Sequence, residues 1–220
     1  MAAALQASRW RHARWFVVVP HPDDETLGAG ALIAHSASKG LLAGIAFLTD
    51  GTGSHPVGTP RLAVIRRGEA RAALRRLGAA HAQVDWLNWR DAHPHAPGSA
   101  AFESEARHLA QQLRRRRVEA IAVSDASDSH CDHVAAFALA AQAVRRARRH
   151  IALFSYHVWS PPHPRRRYLR TPPMASGRRR QALCAHRSQL TPRLGDGFRL
   201  PRDRLAMPPH DLLGLYEMRR

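Results

Sequence analysis

The sequence predicts an α/β fold, an open and mostly parallel sheet flanked by helices, on three observations. Short apolar runs rich in aromatic and β-branched residues alternate with amphipathic stretches of helical period. Two of these runs end in clusters of histidine and aspartate, and open α/β sheets bind ligands in the crevice at the strands' carboxyl ends. At 220 residues the chain is long enough for one such domain with a substantial core. We read a single domain over 1–220, with its core over about 15–160 and an irregular C-terminal extension over about 161–220.

The first run, Trp15 to Val19, has the content of a buried strand. His21-Pro22-Asp23-Asp24-Glu25-Thr26 follows, then Leu27 to Ala34, which can start a helix. One histidine and two adjacent carboxylates thus sit where strand gives way to helix. Imidazole nitrogen and carboxylate oxygen are ordinary zinc ligands, and a catalytic zinc takes three protein ligands and keeps one position open. Neighbouring aspartates in a turn diverge, so one can hold a metal while the other faces the water to be activated, as a general base. The structural alternative is a capping turn, with acids at the positive end of a helix dipole.

Leu41 to Leu48 reads as the second strand. After a flexible loop, Thr52 to Gly58, Thr59-Pro60 gives an N-cap and first turn for a helix over about Pro60 to Leu77, stopped by Gly78. Leu62, Ile65, Ala73 and Leu77 form its apolar stripe, and Arg66 and Glu69 fall inside that stripe. Inward charges must be paired or used. Either Arg66 and Glu69 form a structural pair, or Glu69 orients Arg66 toward a polar or anionic substrate group. A third strand, Ala82 to Trp89, leaves Asp91 at the same rim. The amphipathic helix on Phe102, Ala106, Leu109 and Leu113 ends in Arg114 to Arg117, which suits the negative end of its dipole.

The fourth strand, Val118 to Val123, delivers the second chemical stretch, Ser124 to His133. Asp128 can cap the helix that runs from there to about Arg149. His130 and His133 share a face of its first turn. One can complete a metal site while the other points at substrate, and Asp132 can orient a histidine by accepting its second ring proton. The last strand is Ile151 to Val158, followed by an Arg- and Pro-rich loop or lid, Pro161 to Pro173. A helix over about Arg178 to Leu190 puts Arg179, Leu183, His186 and Leu190 on one face; beyond Thr191 no periodic run can be assigned.

The formal charge of +17 comes almost wholly from arginine, Lys39 being the single lysine. Such a field attracts anions and raises non-specific nucleic-acid binding. The arginines are scattered over helix faces, however, and a dedicated nucleic-acid function is the weaker reading. Cys131 and Cys184 form no CxxC pair and no disulfide framework. Trp15 to Val19 is too short for a signal-peptide core, and no run approaches the roughly 20 apolar residues of a membrane span. A cytoplasmic location is the expectation.

His21-Pro22-Asp23-Asp24-Glu25 and His130-Cys131-Asp132-His133 together resemble the two signatures of the PIG-L/LmbE-like family of zinc-dependent N-deacetylases. Arg66-Arg67-Gly68-Glu69 with Leu77-Gly78, and Ala182 to Gln189, resemble two weaker family segments. The resemblance implies a Rossmann-like fold with one zinc, or another divalent metal, per chain. It implies His21, Asp24 and His133 as metal ligands and Asp23 as the general base. It implies His130 as the acid toward the leaving amine or the oxyanion stabiliser, with Asp132 holding its tautomer and charge. Arg66 and Asp91 would contact a small N-acylated amino-sugar conjugate, N-acetylglucosamine-like, from which an acyl group, acetyl in the first instance, is removed. Other amides (an acylated lipid, peptide or antibiotic sugar) are the alternative, and an arginine-rich anion-binding protein with a vestigial site is a third reading. Two departures stand out: Asp91-Ala92 where members often carry Asp-Gly, and Arg179 where a lysine is common.

Overall fold

A computed structural model describes residues 2–164 and 166–217. Eight strands form one sheet: β1 (Ala2–Ala4), β2 (Trp15–Val19), β3 (Leu42–Thr49), β4 (Val84–Trp89), β5 (Ala120–Ser124), β6 (Ala152–Tyr156), β7 (Tyr168–Arg170) and β8 (Leu212–Tyr216). Their order across the sheet is β1-β7-β8-β6-β5-β2-β3-β4. The block from β6 to β4 is parallel throughout. Every residue of β2, β5 and β6 is buried, which is why these strands read as continuous apolar runs rather than alternating ones.

The chain builds β2, β3 and β4 outward in one direction, then crosses back to lay β5 and β6 on the other side of β2. The order reverses between β2 and β5, so their two exit loops diverge and leave a crevice between them. Both histidine–aspartate clusters lie on those two loops.

Helices cover both faces. One apolar cluster joins Val17, Val19 and Phe47 to α2 (Gly30–Ser38), α3 (Leu62–Arg76) and α6 (Arg178–Leu183) through Leu32, Leu74 and Leu183. The other joins Phe16, Val18 and Ile121 to α4 (Ala100–Arg115) and α5 (Cys131–Ala147) through Phe102, Leu113 and Leu139. The four-residue α1 (Asp24–Leu27) and α7 (Arg187–Leu190) flank the crevice.

Three local expectations are corrected. Helix α3 starts at Leu62 rather than at Pro60, and Arg61 occupies the N-cap position without a side-chain cap. The Thr59 hydroxyl donates instead to the Pro56 carbonyl. The expected helix over 178–190 breaks into α6 and α7 at His186, whose ring turns into the core. The C-terminal extension is more ordered than its sequence suggests. It supplies β7 and β8, with β8 antiparallel between β6 and β7, and Asp211 accepts a hydrogen bond from the Leu32 amide. Among the described residues no helix is long and apolar enough to cross a membrane, and both cysteines are free and exposed.

Candidate active site

The loop after β2 carries an unusual backbone. Asp23 has φ 129, a region that L-residues enter only when their surroundings impose it. Those surroundings are identifiable. The Asp23 amide donates to Glu25 Oε2 at 2.8 Å. Glu25 Oε1 accepts from Thr26 Oγ1 at 2.7 Å and from His186 Nε2 at 2.8 Å, inside the core. From the other side Arg66 donates to the Pro22 and Gly51 carbonyls and to Asp23 Oδ2. The two aspartates therefore diverge: Asp23 faces Arg66, while Asp24 Oδ2 lies 3.1 Å from His21 Nδ1.

The loop after β5 is built around Asp128. Its Oδ2 accepts from His133 Nδ1 at 2.9 Å, and its two oxygens also take the amides of Val158, Trp159 and Ser160. Asp128 is thus not the helix cap. His130 occupies that position, its Nδ1 accepting from the Asp132 amide at 3.3 Å. Three loop amides and an imidazole satisfy the Asp128 carboxylate better than one helix terminus would. His133 Nε2 then points at Asp24 Oδ2, 3.1 Å away, with no hydrogen-bond partner although it is buried.

The remaining candidates arrange themselves around His21. Asp132 Oδ2 lies 3.0 Å from His21 Nε2 and accepts from the Ala92 amide at 2.8 Å, and it is 3.9 Å from His130 Nδ1. Asp132 therefore orients His21, and its contact with His130 runs through its backbone. Asp91 Oδ1 is 3.3 Å from the same His21 nitrogen, and its Oδ2 accepts from the Gly53 amide at 2.8 Å. Ala92 has φ 60, so the backbone here is left-handed, a conformation that glycine adopts without strain.

One pairing differs from expectation. Glu69 does not bond Arg66; it accepts from the amide and hydroxyl of Ser188, at 2.8 and 2.5 Å. Arg179 lies outside the cleft, buried, donating to the Thr26 and Leu27 carbonyls and paired with Asp211.

Burial, with the charge of Asp24 alongside, raises the Asp23 carboxyl to about 7 against the pull of Arg66. Burial acts the same way on Asp24, but His133 and His21 outweigh it and hold this carboxyl far below the usual range. Burial opposes protonation of His133, yet Asp24 and Asp128 lift it to about 9. His21 is raised well above its ordinary value because Asp132, Asp24 and Asp91 overcome its burial. His130 is lowered by burial and by the neighbouring His21. Two carboxylates side by side thus differ widely in proton affinity, the separation expected of groups with different tasks.

His21, Asp23, Asp24, Arg66, Asp91 and His130 line one cleft of about 650 Å³, solvent at its mouth included, together with Ser54, Trp159, Gln189 and Phe198, and His133 lies buried behind it. His21, Asp24 and His133 offer ligand atoms within 4.8 Å of one another. The chain fits a cation there for a specific reason. Asp128 holds one ring proton of His133 on Nδ1, so Nε2 is the nitrogen turned inward, buried and 3.1 Å from a carboxylate oxygen, and a cation there would take the place of its remaining proton. His21, Asp91, His130 and Asp132 form a second such cluster, which shares His21 with the first and in which the Gly53 amide holds Asp91 Oδ2 and the Ala92 amide holds Asp132 Oδ2.

Sequence reasoning missed Asp128 as the partner of His133, and the Glu25–His186 pair, although all three lie in stretches that drew attention. Trp159, Gln189 and Phe198 come to the cleft from the C-terminal third, where only long-range packing places them.

Comparison with known proteins adds three findings. Residues 16–144 match the PIG-L family model, described as GlcNAc-PI de-N-acetylase. A 1D-myo-inositol 2-acetamido-2-deoxy-alpha-D-glucopyranoside deacetylase of Segniliparus rotundus is 30% identical over 162 residues, 61% of this chain and 51% of that protein. The chain therefore spans about half the length of this curated relative. Among solved structures, a conserved protein of Thermus thermophilus is 29% identical with TM-score 0.62, covering 80% of each chain. N,N'-diacetylchitobiose deacetylase of Pyrococcus horikoshii shares the fold at 23% identity and TM-score 0.65, over 83% of this chain and 73% of that one.

Proposed function

Because the chain belongs to the PIG-L family, we propose that its cleft removes an N-acyl group, acetyl in the first instance, from a small amino-sugar conjugate with the help of one zinc ion. The observation that carries this is the meeting of His21 Nδ1 and His133 Nε2 on a single oxygen of Asp24, each at 3.1 Å, beside a second carboxylate of opposite proton affinity.

His21, Asp24 and His133 would hold the metal, and its chemistry when bound is to polarise the amide carbonyl and make water a better nucleophile. The protein's own groups do the rest. Asp23, tethered by Arg66 and by its strained backbone, is positioned to take a proton from the attacking water. Its raised affinity for that proton suits a base working near neutral pH. Asp132 and Asp128 accept the outward ring protons of His21 and His133, and so fix which nitrogen of each faces inward.

An amine leaves an amide only when protonated, and the proton that Asp23 takes from the water is available to be returned to it. His130 lines the same cleft with its ring 41% exposed; its Nδ1 accepts from the Asp132 amide, so the neutral ring presents Nε2–H, which would hydrogen-bond the developing oxyanion. Arg66 and Asp91 line the pocket and face sugar hydroxyls or the acyl oxygen.

The test is acetate release from a panel of N-acetylglucosamine conjugates, with and without a chelator. Release that the chelator stops and added zinc restores supports the proposal. Zinc-replete protein that releases no acetate from any conjugate overturns it.

A further inference from the structure

The arginines that the sequence scatters gather at one edge of the fold. Because β2 to β6 are parallel, all five strands enter the sheet on the side away from the cleft and exit toward it. Arg14 leads into β2, Lys39 into β3, Arg114 to Arg117 into β5, and Arg148-Arg149 into β6. The exit side holds His21, Asp23, Asp24, Asp91, Asp125 and Asp128 instead. Charge is therefore sorted along the strand axis, with cations at the entry edge and carboxylates at the cleft.

Helix termini explain only part of this. A helix C-terminus gains from a cation or two in its last turn, whereas α4 and α5 carry four arginines each at or just past theirs. Among the described residues, Asp85 pairs with Arg116 and Glu103 with Arg146, while Arg114, Arg145, Arg148 and Arg149 form no ion pair. Three of these four are held by neutral acceptors. Arg114 Nη1 donates to the Arg146 carbonyl at 3.2 Å, Arg149 Nη1 to the Arg114 carbonyl at 3.3 Å, and Arg145 Nε to Gln142 Oε1 at 3.1 Å. A guanidinium carries five N–H donors, so each keeps most of them for a group outside the chain.

These side chains line two open grooves that share Arg145 and Arg148. One, between α4 and α5, adds Arg107, Arg114 and Arg146. The other runs on past Arg149 to Arg9, Trp10 and Tyr216. No carboxylate lines the first groove, and Glu217 alone lines the second. Tyr216 is 43% exposed, its ring set against Phe137 with centroids 5.0 Å apart and planes at 78°. Packed helices lie about 8–10 Å apart, so the groove between them admits one extended strand. A flat bilayer does not enter such a groove, and the large apolar side chain exposed beside it is a tyrosine rather than an aliphatic anchor. A basic groove with an aromatic ring along it is how single-stranded nucleic acid is held.

We infer that the entry edge binds the phosphate backbone of a single nucleic-acid strand, without reading its sequence, and leaves the cleft facing away. Neither the metal site nor the deacetylase reading enters this inference.

The probe is fluorescein-labelled oligothymidylate of about 20 nucleotides, titrated with the full chain by fluorescence anisotropy between about 50 and 200 mM salt. Contacts to about four to six phosphates give log K a slope of about −3 to −4 against log salt. Arg145→Gln/Arg148→Gln/Arg149→Gln lowers that slope by about 2 and the affinity by about tenfold or more. Arg107→Gln/Arg114→Gln, in the groove between α4 and α5, lowers the slope by about 1. Arg90→Gln/Arg193→Gln/Arg202→Gln removes as much charge from exposed positions away from this edge, and changes affinity by about twofold or less, because exposed charges are screened beyond a Debye length. Circular dichroism follows the folding of each variant. Equal losses in the two triple variants show that net charge alone attracts the strand, and overturn the site. So does the absence of saturable binding at about 150 mM salt. Tighter binding to a mixed-sequence duplex, or to phosphatidylcholine vesicles containing one-third phosphatidylglycerol, hands the edge to another partner and overturns it as well.

Discussion

The loops after β2 and β5 bring matching side chains together and both are tied down by side-chain hydrogen bonds, but the second leaves one imidazole, that of His130, half-exposed. In the β2 loop, Asp23 sits at φ 129 between a Glu25 carboxylate and an Arg66 guanidinium, with His186 bracing Glu25 from across the core. In the β5 loop, Asp128 ties His133 to the backbone of residues 158–160, while the His130 ring stays 41% exposed and reaches no carboxylate closer than 3.9 Å. Asp23, Asp24 and His133 are buried and held by several partners each, whereas the His130 ring is left near solvent.

The comparison breaks most visibly at Asp23. Asp23→Asn is expected to keep its metal and to lose about 10²- to 10⁴-fold in turnover, the usual worth of a general base. In the unmodified protein the base works only as a carboxylate, so kcat/KM should fall as pH drops through about 7. A bound cation would draw that limb to lower pH. Turnover retained in the variant would remove Asp23 as the base.

The brace comes next. His186→Ala removes one partner of a fully buried pair and should cost about 3–5 kcal/mol of stability, read by urea unfolding. A cost under about 1 kcal/mol would show that Asp23's backbone does not depend on it.

Asp128→Asn sharpens the contrast from the β5 side. The variant keeps an acceptor but loses the charge facing His133 Nδ1, so metal affinity should weaken about 10- to 100-fold. Competition with a chromogenic chelator measures it, and unchanged affinity would return Asp128 to a loop-holding role.

The smallest effect lies at Ala92. Glycine relieves a left-handed backbone at φ 60, so Ala92→Gly should stabilise by about 1 kcal/mol, with Asp132's hydrogen bond retained. A lower melting temperature would contradict the strain.

The parallel half of the sheet was legible because each strand carries its own burial, and a run such as Trp15 to Val19 announces itself without knowledge of its neighbours. The site was legible for the same reason. His21 to Asp24 and His130 to His133 are each packed into four residues, and only their meeting is long-range. What stayed hidden depends on partners far along the chain. Glu69 looked like a mate for Arg66 three residues away, but its partner is Ser188, 119 residues away. Asp128 looked like a cap because the loop at 158–160 that claims it is about 30 residues distant. Strand β8 is five residues long and β7 three, too short for any period to show, and both exist only because the sheet edge receives them. Phe198 lies in that same tail.

The claim beneath all of this is that both loops converge on one cation, and zinc titration of the metal-free, folded chain tests it most directly. The account predicts one equivalent bound by the unmodified protein and by Asp23→Asn. It predicts affinity reduced by at least about 100-fold in Asp24→Asn and in His133→Ala, with folding of each followed by circular dichroism. A folded, unmodified chain that takes up no zinc, or a His133→Ala variant that binds it as tightly, would contradict the account.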